Sequence, residues 1–253
     1  AAVAVACMLV PAFGIDETLY AKAEPSSTPM FQSVAKTFKN HDFQVFELSD
    51  VLYWVAITMF QTGMTYYITE LMGLPDSLSF VFFAAMTLIS LLFYAPVNML
   101  SKRHGKKRIV AFGFFFFCAA FAVTSVCGMF GIPGMVWGML VAVLAAVPMA
   151  ILGILPQAVL ADIAECDALE TGERREGMFY AARTSMTLGQ TLAMILFTSI
   201  SILGENGMGY RATAIVATAF CLIGGLVFTR YNERRVLGTI GGASGEAKGG
   251  DRA

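Results

Sequence analysis

Apolar positions in this chain do not alternate with polar ones, as they would along a half-buried strand, but run on without a break. Six such runs occupy residues 46–72, 78–100, 109–130, 135–159, 178–203 and 212–228, each close to the roughly 20 residues that cross a hydrocarbon core at helical rise. The pattern predicts an all-α membrane protein, a six-transmembrane-helix bundle over residues 46–230. A membrane β-barrel is excluded, because its strands would be about half as long and would alternate in polarity. Pro148 and Pro156, with Gly153 between them, predict kinks in the fourth helix.

The flanks read differently. Residues 1–10 are apolar but too short to span, and with no basic segment ahead of them they are expected to end a truncated upstream transmembrane helix rather than form a signal peptide. Residues 11–45 turn polar and charged around Pro25 and Pro29. That stretch predicts an interdomain loop, with a short surface helix near 34–38. Residues 231–253 are polar, and Gly-rich from Gly238 onward, which predicts a disordered tail.

Composition agrees with lipid as the solvent: 57% of residues are hydrophobic and 14% charged, with a mean hydropathy of +0.68. A net charge of −1 supplies no broad basic surface, so nucleic acid is excluded as a partner. The basic residues gather at loops. Lys102, Arg103, Lys106, Lys107 and Arg108 follow the second run, Arg174 and Arg175 the fourth, and Arg230, Arg234 and Arg235 the sixth. Cytoplasmic loops collect such residues, so these loops, the linker and the carboxy terminus are expected inside, in a multi-pass protein of the cytoplasmic membrane. Within the first of them, the basic turn of Arg103, Gly105, Lys106 and Lys107, the glycine is suited to the positive φ of a tight reversal.

The densest charge lies between the fourth and fifth runs, where Asp162, Glu165, Asp167, Glu170, Glu173, Arg174, Arg175 and Glu176 fall close together. Asp162 and Glu165 stand one helical turn apart on one face, and arginines at the start of the next helix can meet them. Arg183 lies inside the fifth apolar run, where an unpaired cation is costly; its expected partner is Asp162 or Glu165. Asp162, Glu165, Arg174, Glu176 and Arg183 therefore form a candidate charge clamp. A solvated loop pairing its own charges is the plainer reading, favoured for Glu170 and Glu173.

Polar side chains at membrane depth supply candidates for a solute path. Thr58, Gln61, Thr62 and Thr65 share a face of the first helix, Thr184, Thr187, Gln190 and Thr191 repeat the pattern on the fifth, and Asn98 lies on the second. Gln61, Thr65, Asn98, Thr187 and Gln190 are the candidate substrate-binding residues. Hydroxyls that bond their own helix are the alternative.

Two signatures carry a resemblance. The Gly-centred basic turn at Gly105 resembles the loop between second and third helices in each half of major facilitator transporters, with Lys102 where an acid is usual. Pro156-Gln157, Asp162, Glu165, Thr171-Gly172, Arg174, Glu176-Gly177 and Leu188-Gly189 then resemble, in order and spacing, the glycoside-pentoside-hexuronide:cation symporters, the melibiose-permease-like branch of that superfamily. The resemblance implies the carboxy-terminal half of a twelve-helix fold. It implies cation-coupled symport of a sugar or sugar derivative by alternating access, against an amino-terminal six-helix half and with membrane lipid around it. The coupling cation, Na⁺ or H⁺, is expected to bind in that other half. By the same resemblance, sugar-carrying members place a lysine where Thr187 stands and melibiose permease a tryptophan at about Gly153, which weakens a galactoside as the solute. A lysolipid or other non-sugar solute is the alternative the family allows, and a non-transporting scaffold or receptor the alternative outside it.

Cys7, Cys118, Cys127, Cys166 and Cys221 form no CxxC pair, and His41 and His104 are too few for a metal cluster. No cofactor, metal site or catalytic residue is expected. The absence of clustered histidines or paired intramembrane acids argues against a membrane enzyme.

Overall fold

A computed structural model describes residues 30–204 and 207–250; the expectation for residues 1–10 lies outside them. The described residues are helical, without a strand. In hydrocarbon each backbone N–H and C=O must be satisfied within its own segment, and the apolar runs accordingly close into helices α2 (His41–Tyr66), α3 (Ser77–His104), α4 (Lys106–Ser125), α5 (Gly134–Thr171) and α8 (Met208–Phe228). These five, α2 being prolonged by a π-turn over Tyr67–Leu71, are long and apolar enough to cross a membrane.

The fifth predicted span is broken. Helix α6 (Glu176–Ala182) passes through a 3₁₀ turn at Arg183–Ser185 into α7 (Met186–Ser201). The fourth is not: α5 runs through both prolines as one helix of 38 residues, about 57 Å at helical rise. A bilayer core of about 30 Å takes up roughly half of it, so the segment with Asp162, Asp167 and Glu170 extends past the apolar layer.

Both polar flanks form helices where described. Helix α1 (Met30–Lys39) precedes α2, whose start at His41 is capped by Asn40, the side chain accepting the Phe43 N–H at 3.1 Å. The tail predicted as disordered forms α9 (Glu233–Gly250). Its first turn is anchored by Tyr231, Val236 and Glu233, the first two buried, and this tertiary hold outweighs the glycines that the composition stressed.

Helix α2 is the hub. It packs against α7 and α8, while α4 joins α8 to α5 and α3 lies outside on α5. The apolar window of α2 is 67% buried against 22% for α3, so α3 offers most of its surface to lipid or to another helical body. Phe60, Phe117 and Phe121 fill the core between α2 and α4, the last two edge to face at 4.5 Å between centroids. At Gly189 an added Cβ would lie 2.9 Å from the Val51 carbonyl oxygen, which is how closely α7 approaches α2.

Gly105 joins α3 to α4 at φ 88° and ψ 149°, a region essentially restricted to glycine. A Cβ there would also meet Glu233 Oε2 at 2.6 Å. Gly105→Ala is therefore expected to destabilise the bundle by about 1–3 kcal/mol, read as a lower unfolding midpoint of the purified protein in detergent.

Candidate functional site

The 3₁₀ turn that breaks the fifth segment delivers Arg183 to α2. Its Nε donates to Asp50 Oδ2 at 2.9 Å and its Nη2 to Asp50 Oδ1 at 3.2 Å. Both side chains are nearly out of solvent, at 9% and 3% exposure, and the guanidinium also lies 5.9 Å from the centre of the Phe46 ring. Two parallel charge-assisted bonds fix the angle as well as the distance. One turn before Asp50, Glu47 accepts a hydrogen bond from the Ser185 hydroxyl. Arg183 and Ser185 of the break thus hold two acids of α2.

A second pair lies at the α3–α4 turn. Lys106 Nζ donates to Asp162 at 2.6 Å and 2.8 Å, and to the Ala158 carbonyl at 3.3 Å. The backbone N–H of Lys106, in the first turn of α4, donates to Glu233 of α9 at 2.5 Å, an anion where the helix dipole favours one. Burial first, and the negative charge of Asp162 second, push the neighbouring Tyr231 phenol above its ordinary range; it stays a neutral hydroxyl.

Beyond these pairs the same end of the bundle carries a polar layer. Arg175 donates to Asp167 at 2.7 Å, and the Asn40 side-chain amide donates to the other Asp167 oxygen at 3.0 Å. Arg235 of α9 bridges Glu170, at 2.8 Å, and Asp42, at 3.2 Å, and the Glu170 carboxylate holds that guanidinium above its ordinary value. Lys36 of α1 pairs with Glu173 at 2.9 Å. Linker, charged block and tail meet here, around a cleft of about 570 Å³.

The polar positions on the spans fall where described helices do not cover them. Gln61, Thr65, Asn98 and Thr187 are exposed and Gln190 is half-buried. The Thr187 hydroxyl donates to the Thr184 carbonyl at 2.8 Å and that of Thr191 to Thr187 at 2.9 Å, the back-bonding that the sequence allowed as the plainer reading.

The profile of a family described as MFS/sugar transport protein matches residues 1–221. The chain belongs to this family. No curated protein matches it. As a family member it is a multi-pass membrane transporter of the major facilitator kind.

Against the major facilitator fold, the predicted clamp needs correction. Asp162 does not meet Arg183; it lies with Lys106, because α5 packs on α3 and α4 whereas the fifth segment packs on α2. Glu165, Arg174 and Glu176 are exposed and are not brought to Arg183. The true partner of Arg183, Asp50, and the neighbouring Glu47 escaped the reading that paired intramembrane acids were absent. The signal was present in Glu47 and Asp50, three residues apart within an apolar run. In the basic turn, Gly105 takes the expected positive φ, and Lys106 pairs with Asp162.

Removing one member of a buried ion pair strands the other charge, at a cost of about 3–5 kcal/mol, whereas apolar replacement of both is often neutral. Asp50→Ala and Arg183→Gln are each expected to lower the unfolding free energy by about that amount. Asp50→Leu combined with Arg183→Leu is expected to cost less than either single change, measured by thermal unfolding in detergent.

Proposed function

We infer that this protein moves a sugar or sugar derivative across the cytoplasmic membrane by cation-coupled symport, this chain supplying the carboxy-terminal six-helix half. The observation that carries the reading is the pairing of α2 with the broken α6–α7 segment. On these two packed helices, exposed polar side chains at Gln61, Thr65 and Thr187 and the half-buried Gln190 lie towards one side of the buried Arg183–Asp50 pair in sequence, and the charged layer lies towards the other. Hydroxyl and amide groups are suited to a polyhydroxyl solute. Asn98 on α3 is a further contact.

Alternating access then consists of this bundle rocking against an amino-terminal one. The polar layer lies on the cytoplasmic side, as do both flanks. Lys106–Asp162, partly exposed at 29% and 15%, is the pair that opens and closes, while Arg183–Asp50 keeps α2 and the fifth segment moving together. The principal coupling cation, Na⁺ or H⁺, is carried by the other half. Thr187, standing where sugar-carrying members have lysine, favours a solute other than a galactoside and keeps a lysolipid as the second reading.

The intact protein in proteoliposomes, driven by a Na⁺ or a pH gradient, is expected to accumulate at least one member of a panel of labelled sugars. Accumulation of a lysophospholipid alone would select the second reading, and failure with every solute would leave a scaffold or receptor. Asp162→Asn is expected to lower the initial uptake rate about tenfold, or about 1.4 kcal/mol, at unchanged expression. The exchanged pair Lys106→Asp with Asp162→Lys is expected to restore part of it.

A further inference from the structure

The acid pair on α2 is short of one positive charge. Arg183 spends both of its parallel bonds on Asp50, leaving Glu47, which is 5% exposed, with only the neutral Ser185 hydroxyl on one carboxylate oxygen. Its other oxygen, Oε2, is buried without a hydrogen-bond partner among the described residues. The charged groups that act on Glu47 are Asp50 on its own helix and Arg183 across the interface. Two carboxylates and one guanidinium sum to −1, and a buried carboxylate oxygen with neither cation nor donor is a costly arrangement.

One proton removes the imbalance. We propose that Glu47 is a proton-binding site of this bundle, taking a proton on Oε2 while Arg183 is held by Asp50 and passing it to Asp50 when Arg183 swings to Glu47, so that one proton and one guanidinium serve the two acids in either arrangement. The step is a plain transfer: hydronium at the cluster gives its proton to Oε2 and leaves water, and the reverse returns it. Swinging is feasible because Arg183 and Ser185 both sit in the 3₁₀ turn between α6 and α7, so a change in that turn alters both contacts of the acid pair together. A metal cation fits less well. It needs several oxygens around it, Asp50 has both of its own occupied by Arg183, and among the described residues no three His, Cys, Asp or Glu side chains gather as a metal site.

As a coupling device this site rests on the transport reading; as a proton site it does not, and infrared difference spectroscopy of the purified intact protein separates the two. Between acid and alkaline pH, the wild type is expected to show the carbonyl-stretch band of a buried protonated carboxyl, and Glu47→Gln to lack it. Ser185→Ala, which removes the neighbouring donor and leaves the acid, is expected to shift the band without abolishing it, and this stands as the check should Glu47→Gln fold poorly. A band set unchanged in Glu47→Gln, a band unmoved in Ser185→Ala, or loss of the band on adding Na⁺ at fixed pH would overturn the assignment. A protein that shows the Glu47 band but accumulates no solute would overturn the transport reading and leave the proton site standing. One that transports while Glu47→Gln keeps every band would do the opposite.

Discussion

A guanidinium inside a helical bundle must have a carboxylate, and the bond from Arg183 to Asp50 is the interaction on which this arrangement turns. Lipid offers no water to solvate a stray charge. The fifth span therefore cannot run straight past α2 with Arg183 aimed at hydrocarbon or solvent; it tightens into a 3₁₀ turn at Arg183–Ser185 and presents the cation to α2. Gly189, four residues after the turn, lets the backbones approach until only a hydrogen fits against Val51. Break, ion pair and close contact are three expressions of one requirement, that α2 and the fifth segment share a buried charge.

The same solvent logic separates the helices by role. Helix α2 is buried on most of its circumference because it bears the acids, and α3, whose apolar side chains include exposed Phe80, Leu88, Leu92 and Met99, can stay outermost because lipid costs it nothing. Helix α5 has both tasks in succession. Its first part is an apolar span; its continuation beyond the bilayer thickness is a stalk on which Asp162, Asp167 and Glu170 each meet a cation from another element: Lys106 of α4, Arg175 of the following loop and Arg235 of α9.

Much of this was legible in the chain itself. Run length gave five spans and the place of the sixth, since a stretch of apolar residues too long for a strand has few other outcomes in lipid, and Gly105 marked its turn because the basic residues around it leave no room for a longer loop. The partner of Arg183 was not legible. Sequence distance suggested Asp162, only 21 positions away, whereas Asp50 is 133 positions away and becomes a neighbour only when α7 packs on α2. The order of α9 was hidden for a related reason: propensity is local, and glycines weigh against a helix until Glu233, Tyr231 and Val236 are given something to hold. Among the polar candidates, threonine was ambiguous from the start, because a hydroxyl that satisfies its own helix and one that awaits a solute have the same sequence.

Where the charges sit also sorts them by how easily they can be rearranged. Pairs such as Lys36–Glu173 and Arg235–Glu170 are open to water, at 46% and 39% and at 49% and 37% exposure, and such pairs are worth at most about 1 kcal/mol; they can be exchanged for hydration with little change in free energy. Lys106–Asp162 is intermediate. Arg183–Asp50 cannot be parted without offering each charge a new partner: Glu47, one turn from Asp50 on the same helix, can take the guanidinium, and a proton given up by Glu47 can neutralise Asp50. A rocking motion that disturbs the end layer is therefore cheap, and one that reaches the break in the fifth segment must pass the guanidinium from one acid to the other. The position of two acids one turn apart beneath a single arginine is what makes that transfer an available path.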